Sequence, residues 1–260
     1  SVPTDGLEAP WGRAQLVFIV DQARLAEPPK SMAALLDYAK DNIGRVTYPE
    51  PPNFHGTTFL KQVLWETTRY PDWLTEPYSE ERFKPVTLPM WEYLDALHPN
   101  LWRNGREFPD SAEVMMDLFS DGILDIALSF NPNDASQRIL DGRFAPSVRT
   151  YVHEIGTVGN THFLAIPFNA QSRDAALIWI NLLLSPEAQA EKADPSIWGD
   201  PTVIDVSRLR SADRTLFQTL DLGPATLTSQ DRGIPLSEPH ASWVEPLERA
   251  WKDRYFGKAK

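Results

Sequence analysis

Short apolar runs alternate along this chain with segments whose apolar residues recur at helical spacing, and a fold made of helices alone or strands alone does not accommodate both. Gln15–Val20 reads Gln-Leu-Val-Phe-Ile-Val and ends at Asp21, the pattern of a buried strand. Ser31 stands at the N-cap of a helix over Met32–Asn42, with Leu35, Leu36 and Ala39 on one face and Gly44 as its stop. Arg45–Tyr48 reads as a second strand, and Thr57 or Thr58 as the start of a helix reaching Tyr70. Met90–Leu97 reads as a short helix, and Ser111 caps another over Ala112–Ser120. Ile123–Phe130, Ser147–Glu154 and Thr161–Ile166 are expected strands, with a helix over Asp134–Leu140 after the first of them. Helices are expected from Ser172 to Leu184, from Pro186, near Asp213–Leu220 and over Trp243–Tyr255. The alternation predicts α/β layers with a mainly parallel sheet. The 23 prolines predict defined loops, above all over residues 71–89; residues 1–13 read as a loop as well.

A length of 260 residues allows one large domain or two modest ones. The 25 basic and 36 acidic residues leave a formal charge of −11, which repels phosphate backbones and argues against a nucleic-acid partner. The absence of cysteine removes disulfide frameworks, thiolate catalysis and Cys-type metal sites. The longest apolar run, Ala175–Leu184, contains Asn181 and is too short to span a bilayer. The opening Ser-Val-Pro-Thr-Asp is not a signal-peptide pattern. His55, His98, His153, His162 and His240 show no metal-ligand spacing, and His153 and Glu154 point to opposite faces of one strand. GxSxG, P-loop and GxGxxG motifs are absent from the sequence. Neither a metal nor a cofactor is therefore expected. The nine tryptophans are expected mostly in the core, with a sugar or cation platform as the other use.

Three segments carry groups that suit a binding site. In Thr47–Thr58 a strand ends, a proline-stiffened loop turns and a helix begins. The unpaired N–H groups and positive dipole end of that helix suit a polar or anionic group, with Asn53, His55, Thr57 and Thr58 beside them and Gly56 permitting close approach. The alternative is a strand–helix connection that binds nothing. In Ala127–Asn133, Phe130 offers a stacking face and Asn131 or Asn133 a hydrogen bond; the alternative is an Asx turn capping the next helix. In Gly156–Pro167, Gly156 and Gly159 permit hinge-like dihedrals ahead of a strand, against the alternative of a bulged strand start.

The segment Gly159-Asn-Thr-His-Phe-Leu-Ala-Ile-Pro-Phe-Asn-Ala170, continuing through Ala175-Ala-Leu-Ile-Trp-Ile-Asn-Leu-Leu-Leu-Ser-Pro-Glu-Ala-Gln189, resembles the periplasmic solute-binding proteins of ABC importers. The resemblance is to the group near the thiamine-, polyamine- and iron-binding receptors. Trp198-Gly-Asp-Pro-Thr-Val-Ile-Asp205 is similar to that group's own signature, and Ala9–Asp21 resembles its first crossover between lobes. The resemblance implies a type II periplasmic-binding-protein fold, with two α/β lobes joined by crossover strands and a solute clamped between them. It places residues 1–21 in a first-lobe remnant and crossover, 22–155 in the second lobe, 156–210 in the return crossover and first lobe, and 211–260 in C-terminal helices returning to the second lobe. About a hundred family residues have no counterpart ahead of the first crossover, so the first lobe is expected to be incomplete.

The function so implied is a non-catalytic, periplasmic substrate-binding component that closes on a small solute and delivers it to an ABC permease. Asn53, His55, Thr57, Thr58, Phe130 and Asn131 are its expected solute contacts, Gly156 and Gly159 its hinge, and Asn160 a hinge residue that reaches the solute. A small organic cation, thiamine-like or polyamine-like, suits the aromatic residues and the charge, while the helix N-terminus favours an anion. A glycoside-type hydrolase with paired carboxylates and an extracellular ligand-sensing domain are the alternatives.

Overall fold

The computed structural model describes residues 5–256. Its strands are β1 (Glu8–Gln15), β2 (Val17–Asp21), β3 (Ile126–Ser129), β4 (Val148–Tyr151), β5 (Val158–Ala165) and β6 (Leu236–Ser237). Its helices are α1 (Met32–Asp41), α2 (Phe54–Thr67), α3 (Glu80–Leu97), α4 (Ala112–Ser120), α5 (Asp134–Leu140), α6 (Arg173–Leu183), α7 (Pro186–Ala193), α8 (Ser211–Gln218), α9 (Ser229–Arg232) and α10 (Val244–Tyr255). The strands form two sheets, ordered β1-β5-β6 and β3-β2-β4.

The α/β expectation stands, but the sheets are not mainly parallel. β1–β5, β2–β3 and β2–β4 pair antiparallel, and β5–β6 pairs parallel. β2 enters the second sheet from the first and lies between β3 and β4, which run parallel to each other without touching. A helix still links those two, so the alternation read from the sequence survives while the central strand reverses the pairing.

Sheet pairing also explains why β1 occupies a stretch that reads as loop. Its ladder with β5 runs from Glu8↔Ala165 to Gln15↔Gly159, so a tertiary partner overrides a polar, Pro- and Gly-containing sequence. Residues 1–4 of that expected loop lie outside the described residues, as do 257–260. Arg45–Tyr48 is not a strand. The Arg45 carbonyl accepts from Asp125 N at 2.8 Å and the Val46 carbonyl from Trp102 N at 2.9 Å, so the segment bonds to neighbouring loops. Residues 71–89 are not irregular throughout, because α3 runs through Pro85 and Pro89. Val86, Met90, Trp91, Tyr93, Leu94 and Leu97 bury one face of it. That packing outweighs a proline cost of about 3 kcal/mol each.

The core is built around β2, whose Val17, Phe18, Ile19 and Val20 are all buried. Leu35 of α1, Phe59 and Leu60 of α2, Leu94 of α3 and Met115 of α4 join the same cluster, as do Trp243 and Trp251 at the C-terminal end. Trp251 Nε1 donates to the Tyr48 hydroxyl at 2.8 Å, and that hydroxyl meets His98 Nε2 at 2.7 Å. In contrast, α6 exposes Ile178 at 72% and Trp179 at 60% of their surface.

The two sheets meet where β1 passes into β2. Leu16 N donates to the Val158 carbonyl at 2.7 Å and Gln15 N to the Phe130 carbonyl at 3.3 Å. Gln62 of α2, fully buried, binds this crossing by two backbone groups: Val158 N donates to its Oε1 at 2.8 Å, and its Nε2 donates to the Gly156 carbonyl at 3.1 Å. Gln62→Ala orphans both, and we expect a loss of about 2–4 kcal/mol, read as a lower denaturation midpoint at unchanged m.

Burial pushes the His98 imidazole down to about 4 from an ordinary 6.5. The unfolded state therefore takes up a proton before the folded one as pH falls. Stability from this group is complete above pH 6.5 and is lost between there and about pH 4, by about 3 kcal/mol in total. Denaturation of the wild type and His98→Gln at pH 7 and pH 4 is expected to show this component in the wild type alone.

Candidate functional site

Between the two sheets opens a cleft of about 500 Å³. One wall carries Trp11 from β1, His162 from β5, and Trp198 and Asp200 from the loop after α7. The other carries Phe54 and His55 from the start of α2, Ser129 and Phe130 from the end of β3, and Asn131. Trp11 is placed by a register shift: Pro10 pairs with Phe163 and Gly12 with His162, leaving Trp11 as the extra residue of a bulge. A bulge re-aims one side chain, and here it aims Trp11 at Trp198, with ring centroids 5.8 Å apart and planes at 54°. On the opposite wall Phe54 and Phe130 meet edge to face at 4.9 Å. An aromatic pair thus stands on each side of one opening.

A buried amide holds the Trp11 wall. Gln189 of α7 donates to the Trp11 carbonyl at 3.1 Å and accepts from Thr202 Oγ1 at 2.8 Å and Val203 N at 3.1 Å. Beneath it, Lys192 donates to Asp200 Oδ2 at 2.6 Å and to the Pro201 carbonyl at 2.8 Å. Its ammonium lies 5.0 Å from the centre of the Trp11 ring. Burial lowers the Lys192 ammonium from its ordinary value, opposed by Asp200. Gly12 lies close against this pair, since a Cβ there would stand 2.4 Å from Asp200 Oδ2 and displace that carboxylate. The one carboxylate of the cleft is thereby neutralised. Burial also lowers the His55 imidazole, which keeps that ring neutral at neutral pH.

The sequence-based residues separate into those the cleft gathers and those it does not. His55, Phe130 and Asn131 line it. Asn131 also forms the expected Asx turn, its Oδ1 accepting from Asn133 N at 3.0 Å. Asn53 is the cap of α2 and accepts from His55 N at 3.0 Å, so the helix begins at Phe54 and not at Thr57 or Thr58. One turn inside it, Thr57 donates to Glu248 Oε1 at 2.6 Å and Thr58 to the Phe54 carbonyl at 2.7 Å. Both hydroxyls hold the helix in place and neither lines the cleft. Gly56 admits no ligand, because a Cβ there would meet the Pro49 carbonyl at 2.0 Å. Asn160 donates to Glu238 Oε1 at 3.0 Å and lines a separate cavity. Gly156, at φ +93°, and Gly159 lie against the chain before β6: added Cβ atoms would stand 2.8 Å from the Ile234 carbonyl and 2.7 Å from Pro235 Cβ.

Trp11, His162, Trp198 and Asp200 were not singled out by sequence reasoning. The usable signal was a tryptophan beside a glycine in two loop-like segments, Trp11-Gly12 and Trp198-Gly199.

The family model described as bacterial extracellular solute-binding protein matches residues 1–215. The chain belongs to that family. It is 46% identical over 255 residues to Protein YnjB of Escherichia coli (strain K12), a match that takes in 98% of this chain and spans 64% of that relative's length. The crystal structure of an ABC transporter from Clostridium perfringens ATCC 13124 superposes with a TM-score of 0.64 at 16% identity, over 96% of this chain and 69% of that one. The spermidine/putrescine ABC transporter substrate-binding protein PotD from Streptococcus pneumoniae strain Canada MDR_19A gives 0.61 at 14% identity, over 97% and 69%. These two likenesses show the periplasmic-binding-protein fold. The family is described as extracellular, and the PotD structure is that of a transporter's substrate-binding protein.

The Lys192–Asp200 pair can be tested without a solute. Lys192→Met leaves Asp200 unpaired beneath Trp11, and we expect a loss of about 3 kcal/mol. Asp200→Asn in the same background is expected to recover part of it, as the cycle of single and double variants would show.

Proposed function

We propose that this chain is the substrate-binding component of an ABC import system, holding a small solute in the cleft between its two sheets. The carrying observation is the pair of aromatic walls: Trp11 and Trp198 face Phe54 and Phe130 across about 500 Å³. A flat or extended organic solute presents its faces to these rings, and Asn131 Nδ2, His55 and His162 supply polar contacts at its edges. The ring faces of Trp198, Phe54 and Phe130 suit a small organic cation, thiamine-like or polyamine-like, through cation–π attraction.

Closure is the proposed mechanism. Solute bridging the two walls stabilises the conformation that brings them together, and that conformation docks on a membrane permease from the periplasmic side. Gly156 and Gly159 are the proposed hinge, with residues 22–155 as one lobe, 1–21 and 156–210 forming the other with its crossovers, and 211–260 packing back on the first-named lobe. Among the described residues no helix is long and apolar enough to cross a membrane. A glycoside hydrolase needs two carboxylates some 5–10 Å apart, and the cleft holds Asp200, engaged by Lys192.

The test is a thermal-shift and fluorescence panel with thiamine, spermidine and putrescine. A solute at about 100 times its Kd adds about 2.7 kcal/mol of stability, and it is expected to quench the tryptophans of the cleft. Trp198→Ala is expected to weaken that solute by about tenfold or more. Unchanged affinity in both Trp11→Ala and Trp198→Ala, or turnover of a glycoside, overturns the reading.

A further inference from the structure

Behind the Trp11 wall lies a second cavity of about 320 Å³. Its polar lining is Arg13, Gln15, Asn160, Thr161, Arg232 and Ser237, with no acidic residue among the lining groups. Arg13 and Arg232 also line the adjoining cavity of about 530 Å³ on the far side. Both arginines therefore belong to the wall shared by the two spaces.

Neither arginine has a carboxylate within ion-pair distance among the described residues. Asp205, in the far cavity, spends Oδ1 on Ser207 N and Ser207 Oγ and feels the charge of Arg13 without forming an ion pair with it. Glu238, near Asn160, is taken by Lys61. The Arg232 Nε is buried and makes no hydrogen bond, a cost normally avoided. Burial, and then the charge of Arg13, lower the Arg232 guanidinium from its ordinary value. The backbone holds this arrangement in place: Gln15 donates to the Arg232 carbonyl at 3.1 Å and to Thr157 Oγ1 at 3.1 Å.

We propose that Arg13 and Arg232 form an oxyanion site for a phosphate group. Two arginines without an ion pair, lining one cavity that has no acidic residue in its wall, suit the several oxygens of a phosphate group. Guanidinium forks match phosphate oxygens with two parallel N–H donors each. A space of about 320 Å³ admits the group, and Ser237 and Thr161 hydroxyls complete its donors. The site stands apart from the aromatic cleft and does not require the solute reading above.

Inorganic phosphate is the probe, titrated by calorimetry and thermal shift at constant ionic strength against chloride, with acetate as the monoanion. Saturable stabilisation by phosphate and none by acetate is expected. Arg13→Gln and Arg232→Gln should each weaken phosphate by at least about tenfold. Arg13 is exposed, so its variant keeps the fold. Trp198→Ala should leave phosphate binding unchanged. A shift that never saturates, equal binding of acetate, or full phosphate affinity in both arginine variants overturns the proposal. Loss of phosphate binding in Trp198→Ala alone would move the anion into the aromatic cleft and overturn it equally.

Discussion

The crossing of β1 into β2 beside β5 is the constraint on which the rest of the molecule depends. Two extended segments pass between sheets there, and their backbone groups leave one ladder before they join the next. Such groups are costly when buried without partners. Side chains supply what the ladders do not: Thr157 Oγ1 donates to the Leu16 carbonyl at 2.5 Å, Gln15 donates to Thr157, and Gln62 takes Val158 N and the Gly156 carbonyl. The network continues outward. Gln62 donates to Glu66 Oε1, Glu66 Oε2 accepts from Met32 N at 2.7 Å at the start of α1, and His153 bonds Glu66 while stacking on Phe18 at 4.3 Å. One polar seam thus fixes β2, β5, α1 and α2 relative to each other.

The cleft inherits its geometry from that seam. Trp11 is four residues before Gln15 and Phe54 is eight before Gln62 on the same helix, so both aromatic walls are anchored through short, bonded paths to a common point. The walls also touch directly, since Asn133 Nδ2 donates to the Gly199 carbonyl at 2.7 Å. This bond joins the turn after β3 to the loop bearing Trp198 and Asp200. Gln15 N donates to the Phe130 carbonyl at 3.3 Å in addition, so two hydrogen bonds tie the strands and loops of one wall to those of the other.

Local chemistry was legible in the sequence wherever one side chain and its own helix decide the outcome. Ser31 and Ser111 cap α1 and α4, accepting from Ala34 N and Val114 N as their positions predict. The Asx turn at Asn131 and the helix over Asp134–Leu140 follow the same rule. Legibility failed where a distant partner decides. β1 is a strand because β5 lies beside it, and α3 tolerates two prolines because its apolar face is buried. Asn53 outcompeted Thr57 and Thr58 as a cap because its side chain reaches His55 N two residues on, which freed the threonine hydroxyls for Glu248 and the Phe54 carbonyl. The site was half visible for the same reason. Phe130 and His55 sit at the ends of predictable elements, whereas Trp11 reaches the cleft through a bulge whose register only the paired strand reveals.

Net charge is a poor guide to such a site, and the molecule shows why. Part of its charge is consumed in short, local pairs: Arg138 bonds both oxygens of Glu113 and also Asp134, Arg45 grips both oxygens of Asp125, and Lys192 neutralises Asp200. These pairs serve packing, holding α4 to α5, the residue 45 loop to the approach to β3, and α7 to its following loop. What a ligand meets is the remainder after pairing. In the aromatic cleft that remainder is close to neutral. Behind it the remainder is two unpaired guanidinium groups, positive in spite of a total of −11. Attraction over a distance follows the sum of charges, but recognition at contact follows the few groups that the fold leaves without partners.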